Sequence, residues 1–204
     1  MPRKYLELFS GDASRRAQAR YYGRGAAAAE GSPDDPLGPD EIAFIGRRDS
    51  FYMASVTETG WPYIQHRGGP PGFLRVTGPR ELAFLDLAGN RQLLTTGNLS
   101  VDGRVSLFLM DYPAQERLKI AARAVVLDAR EHPERAAALA TPGDTGTAER
   151  IFVLEVVSFN WNCPQHITPR YTAAEVEEAV QPLRDRIAEL EAQVEALSQP
   201  PKPR

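Results

Sequence analysis

The sequence predicts a mainly β protein with added helices, its strands closed into an antiparallel barrel and a heptad-patterned helix at its C-terminal end. Three observations carry this. Short β-rich runs recur between turn signals such as Thr57-Glu58-Thr59-Gly60 and Asp102-Gly103. Glycine and proline, 16 and 17 residues, are frequent enough for many turns. Few connections between the runs could hold the crossover helix that a parallel pair needs, and closing the sheet removes exposed edges.

Taken in order, residues 1–39 read as an amphipathic helix over about 12–22 followed by a loop, since Gly23 to Asp40 is small, Pro-punctuated and unperiodic. Pro39 and Asp40 open a helix carrying Ile42, Phe44 and Ile45, where the missing proline N–H costs nothing. This helix is expected to cap one end of the barrel. Phe51 to Val76 then reads FYMASV, TETG, WPYIQH and RGGPPGFLRV, a hairpin that delivers polar groups to its end. A shorter strand is expected at Phe73 to Val76, and others at Glu81 to Asp86, Arg104 to Met110, Leu118 to Leu127 and Arg150 to Trp161. Asn90 to Thr96 and Pro133 to Ala140, the latter starting at His132 or Glu131, read as helices.

From residue 173 the chain changes character. Thr172 and Glu175 stand at capping-box spacing, and Val176, Val180, Leu183, Ile187, Leu190, Val194 and Leu197 follow in alternating steps of four and three. Pro182 is expected to start a new helix or kink this one. Two readings stay open for 173–204: a helix lying on its own barrel, or one pairing with another subunit.

Composition excludes several functions. The net charge of −3 offers no cationic field for nucleic acid or an anionic membrane, and no stretch of about 18 apolar residues suggests a span. The lone Cys163 cannot form an internal disulfide and no paired-Cys zinc pattern exists. With no apolar leader near the N-terminus, a cytoplasmic protein is expected. Asn98-Leu99-Ser100 matches a glycosylation sequon by chance on this reading. Cys163 and His166 are two ligand types and do not make a metal site. No G-x-S-x-G, P-loop or G-x-G-x-x-G is present.

Two arginines stand where an anion could bind. Arg91 follows Gly89-Asn90 at an expected helix start, where free N–H groups favour negative charge; the plainer alternative is a solvated arginine. Arg67 precedes Gly68-Gly69, which would let backbone approach a ligand while the guanidinium forks onto oxyanions. Ser106, on an apolar strand, reads as a hydrogen-bonding hydroxyl rather than a nucleophile.

The hairpin with its HRGGPPGF tail, followed by LAFLDLAGNRQLLTTGNL, resembles the pyridoxamine 5'-phosphate oxidase-like family of FMN-binding split barrels over about residues 40–172. The resemblance implies a six- to seven-stranded antiparallel split β-barrel, non-covalent FMN, and a homodimer with the cofactor at the subunit interface. It implies phosphate and ring contacts from Gln65, His66, Arg67, Asn90 and Arg91, and Ser106 on its apolar strand reads beside them as a hydrogen-bonder either in the core or to the ribityl chain. Arg117 and Lys119 are similar in position to an Arg-Gln-Val-Arg motif that reaches the flavin, although a pair of charges guarding an edge strand is an equal alternative. Trp161 resembles the family's tryptophan at the flavin edge and Arg170 its terminal arginine region. The family's Arg-Leu-His-Asp-Arg substrate signature is replaced here by Ile167-Thr168-Pro169-Arg170-Tyr171. A flavin-binding relative that acts on another small molecule is therefore expected, rather than a true pyridoxamine phosphate oxidase. A non-catalytic FMN or haem module, with His66, His132 or His166 as axial ligand, and an adaptor working through its heptad tail are the competing readings.

Overall fold

The structure is a computed structural model that describes residues 3–24, 31–89, 91–161 and 165–198. Its elements run α1 (Arg3–Phe9), α2 (Asp12–Tyr22), α3 (Pro39–Gly46), β1 (Ser50–Val56), β2 (Pro62–Gly68), β3 (Arg75–Gly78), β4 (Glu81–Leu87), α4 (Leu94–Val101), β5 (Arg104–Asp111), β6 (Glu116–Asp128), α5 (Pro133–Leu139), β7 (Ala148–Trp161) and α6 (Ala173–Ser198). The seven strands form one sheet in the order β2-β1-β5-β6-β7-β4-β3, every neighbouring pair antiparallel.

The sheet curls on itself because its inner face is apolar along every long strand. Phe51 and Met53 of β1, Leu107 and Leu109 of β5, Leu118 and Ile120 of β6, Phe152 and Leu154 of β7, and Leu82 and Phe84 of β4 are all buried in one cluster. Three strands separate β1 from β4 in the ladder, yet the Phe51 and Phe84 rings meet edge-on at 5.4 Å. The outer strands β2 and β3 do not pair with each other, so the barrel stays split. On the outside of β4 and β7, Ala83 and Ile151 pack with Leu139 and Ala136 of α5.

Helix α3 closes one end of the barrel, burying Phe44 and Ile45. Arg48 beside it is missed in the sequence reading: its guanidinium bonds the Met110 carbonyl at 2.8 Å and Asp111 at 2.6 Å, tying α3 to the end of β5.

Several expectations shift. Arg3–Phe9 is a helix of its own. β3 begins at Arg75, because Phe73 and Leu74 leave the ladder to fill the core. The glycines of RGGPPG serve the fold: a Cβ on Gly69 would stand 2.7 Å from the Phe73 ring, and Gly72, at φ +82°, would press on the Gly46 carbonyl at 3.1 Å. Asn98 is buried and donates to Ser55 Oγ at 2.9 Å, so the sequon asparagine is a packing residue. The capping box at Thr172 and Glu175 forms as expected, but α6 runs on through Pro182 and buries no residue.

Candidate functional site

Alternation along β2 divides its polar residues. Tyr63, Gln65 and Arg67 turn inward and are half-buried, while Ile64 and His66 point outward. Strand geometry therefore parts His66 from its neighbours, and its ring meets Tyr52 of β1 at 5.6 Å.

Arg67 reaches across the split. Its Nη1 donates to Asp86 Oδ1 of β4 at 2.6 Å, and its guanidinium lies 5.0 Å from the Phe152 ring centre. The second Asp86 oxygen accepts from Arg150 Nε of β7 at 2.7 Å. Burial pulls Arg150 down, but its bonds to Asp86 and Glu149 and their charges outweigh that and hold it above its ordinary range. Arg67 Nε is buried and has no hydrogen-bond partner among the described residues.

The loop after β4 completes one wall. Arg91 and Leu93 both take left-handed backbone, at φ 59° and 53°, which halts helix formation until Leu94. Arg91, expected in the first turn of a helix from Asn90, thus stands in the loop three residues before α4 begins at Leu94, and among the described residues it has no ion-pair partner. From the first turn of α4, Thr95 Oγ1 donates to Gln65 Oε1 at 2.8 Å.

These groups enclose a cavity of about 150 Å³ whose only charged lining residues, among those described, are Arg67, Arg91, Arg150 and Asp86. Three cations stand against one lining carboxylate, and with Glu149 bonded to Arg150 from outside the cavity the local excess is +1. It shares Arg67, Asp86 and Leu87 with a second cavity of about 260 Å³, which His66 also lines, and Thr96 and Arg150 with a groove of about 730 Å³.

The other expected site residues lie elsewhere on the chain. Ser106, Arg117 and Lys119 face out from the sheet: Ser106 lines an apolar groove with Phe9 and Ala54, Arg117 lies over Phe108 at 5.0 Å and Lys119 over Tyr5 at 5.1 Å. Burial, and then the neighbouring Arg117, hold Lys119 below its ordinary range. Arg170 lies over the Tyr112 ring at 4.9 Å. Trp161 locks the fold, donating from Nε1 to Glu41 at 2.6 Å and meeting Phe44 edge-on. Eleven residue steps along β7 separate it from Arg150, roughly 35 Å of strand. Asn90 and Cys163 lie outside the described residues.

Asp86 and Arg150 were missed by sequence reasoning, though a carboxylate inside the apolar run LAFLDL signals a buried partner. Among the described residues no group of three or more His, Cys, Asp or Glu could hold a metal, and no helix is long and apolar enough to cross a membrane.

Comparison with known proteins adds the family. HupZ of Group A Streptococcus superposes with a TM-score of 0.51 at 14% identity, over 66% of this chain and 100% of HupZ, which shows a shared fold. An FMN-binding protein from Syntrophomonas wolfei gives a TM-score of 0.47 at 12% identity, over 60% of this chain and 83% of that one. No curated protein sequence matches. The family model described as pyridoxamine 5'-phosphate oxidase matches residues 39–156, more than half of the chain. With that match on top of the seven-stranded split barrel, this chain belongs to the pyridoxamine 5'-phosphate oxidase family.

Proposed function

We propose that the protein is an FMN-binding oxidoreductase that works as a homodimer on a small molecule, with the FMN phosphate seated among Arg67, Arg91, Gln65 and Thr95. The observation that carries this is the cavity's positive excess together with the buried Arg67 Nε, which has no partner among the described residues. A phosphate group offsets that excess and gives the donor an acceptor. At about 150 Å³ the cavity suits a phosphate end rather than a whole flavin, since small-molecule pockets run to about 300–1,000 Å³. The adjoining open grooves would leave room for the ring.

FMN, when bound, supplies hydride or electron transfer. The chain's own residues hold it in place: Asp86 orients Arg67 and Arg150, and Thr95 orients Gln65. The homodimer explains the outward residues. Ser106, Arg117 and Lys119 cannot reach the cavity of their own barrel through the sheet, whereas a partner's cavity laid against that face could use them. Exposed Tyr52 and Ile64 on the same face support a covered surface there.

The first test is the visible spectrum of the purified protein before and after dithionite. Flavin bands that bleach on reduction are expected. A Soret band would transfer the weight to a haem module, and a colourless protein that ignores added FMN would refute the cofactor assignment. Arg67→Ala and Arg91→Ala are each expected to weaken FMN binding by about 1.5–3 kcal/mol, measured by flavin fluorescence titration.

A further inference from the structure

The feature that the barrel leaves unexplained is α6. It runs 26 residues, about 39 Å, with no residue buried. Its apolar seam is open to solvent, Leu183 at 63%, Ile187 at 55%, Leu190 at 42% and Val194 at 63% exposure. A helix with no tertiary packing draws on propensity alone, which is marginal support in water.

The seam has a register. Val180, Ile187 and Val194 occupy the a positions, and Val176, Leu183, Leu190 and Leu197 the d positions. β-Branched residues at a with leucine at d favour two strands in parallel coiled coils. The charges agree. Five acids, Glu175, Glu178, Asp185, Glu189 and Glu195, fall at b, c and f, away from the seam, whereas the helix's two bases, Arg184 and Arg186, flank it at e and g. In a parallel pair Arg186 of each strand faces Glu191 of the other, and Arg184 faces Ala179, so no like charges oppose. Pro182 falls at c, where the backbone bond it removes faces solvent.

We infer that α6 pairs with α6 of a second copy of this chain in a parallel, in-register, two-stranded coiled coil. Strand number and register rest on the seam alone. The parallel orientation also rests on the homodimer proposed above, because it puts both Ala173 ends, and hence both barrels, at one end of the coil. An antiparallel pair would hold the barrels at opposite ends. Joined by two interfaces, each would raise the effective concentration for the other.

Cross-linking tests this in the full chain. In a chain carrying Leu183→Cys with Cys163→Ser, mild oxidation is expected to link most molecules as dimers on a non-reducing denaturing gel. Adding Ile187→Glu and Leu190→Glu, which preserve good helix formers at both sites, should cut the yield about tenfold or more. A yield unaffected by those charges, or absent with the seam intact, would overturn the coil. Preferential linkage of Leu183→Cys chains to Val194→Cys or Ile187→Cys chains would also overturn it, since the two antiparallel registers that keep most of the seam set Leu183 opposite one or the other. Light scattering and the visible spectrum on the same samples keep the readings apart. A dimeric flavoprotein without the 183–183 link retires the coil alone, and a linked but colourless protein retires the flavin alone.

Discussion

At the scale of single residues, the arginines differ in what they would cost. Arg67 bonds a buried carboxylate across the barrel, so Arg67→Ala should lower stability by about 1–3 kcal/mol in a urea titration as well as weakening anion binding. Arg91 is exposed and has no ion pair among the described residues, so Arg91→Ala should stay within about 0.5 kcal/mol in the same experiment. Trp161→Phe removes the donor to buried Glu41 and should cost about 1–3 kcal/mol. Asp128 shows a pH effect. Its carboxylate accepts from the Arg130 side chain and backbone and is held down at about 2. Its folded pKa lies below the unfolded value, so its stabilisation is present above about pH 4 and lost as pH falls through about 2. The gap in thermal midpoint between the protein and Asp128→Asn should therefore close as pH drops across that window. Residue types made Arg67 and Arg91 legible in the sequence. Asp86, which decides what Arg67 does in the folded chain, was hidden because nineteen residues separate the two.

At the scale of elements, local signals worked where local physics governs. The Thr172 capping box, the Pro39 helix start and the hairpin of β1 and β2 all form. They failed where tertiary packing intervened. α4 begins at Leu94 because left-handed Arg91 and Leu93 precede it, and its buried Thr95 and Asn98 are drawn to Gln65 and Ser55 of the hairpin. Helix α6 is the element least tied to the rest. Because it buries nothing in its own barrel, removing 173–204 should leave the barrel's unfolding free energy within about 0.5 kcal/mol of the full chain's, measured by urea titration at low protein concentration.

At the scale of the whole molecule, one carboxylate spans the place where the barrel fails to close. Asp86 ties β2 and β7 to β4, and without it Arg67 loses its ion-pair partner among the described residues while Arg150 keeps only Glu149. Asp86→Ala should therefore lower stability by about 3–5 kcal/mol while tightening the binding of inorganic phosphate, which calorimetry and denaturant unfolding would measure together. Such opposite signs are what a site that spends stability on anion binding would show. The sequence by itself determined the class of the fold, because period-two apolar runs and turn residues act over a few neighbours, and it determined the heptad register of α6 for the same reason. Only the tertiary structure decided which residues share a cavity. Curling the sheet brings β2 against β4 and β7, keeps His66 out of the cavity that Arg67 shares with Arg91 while leaving both His66 and Arg67 on the second one, and strands Trp161 at the far end of β7. That sorting comes from pleat and long-range closure, which no local pattern encodes.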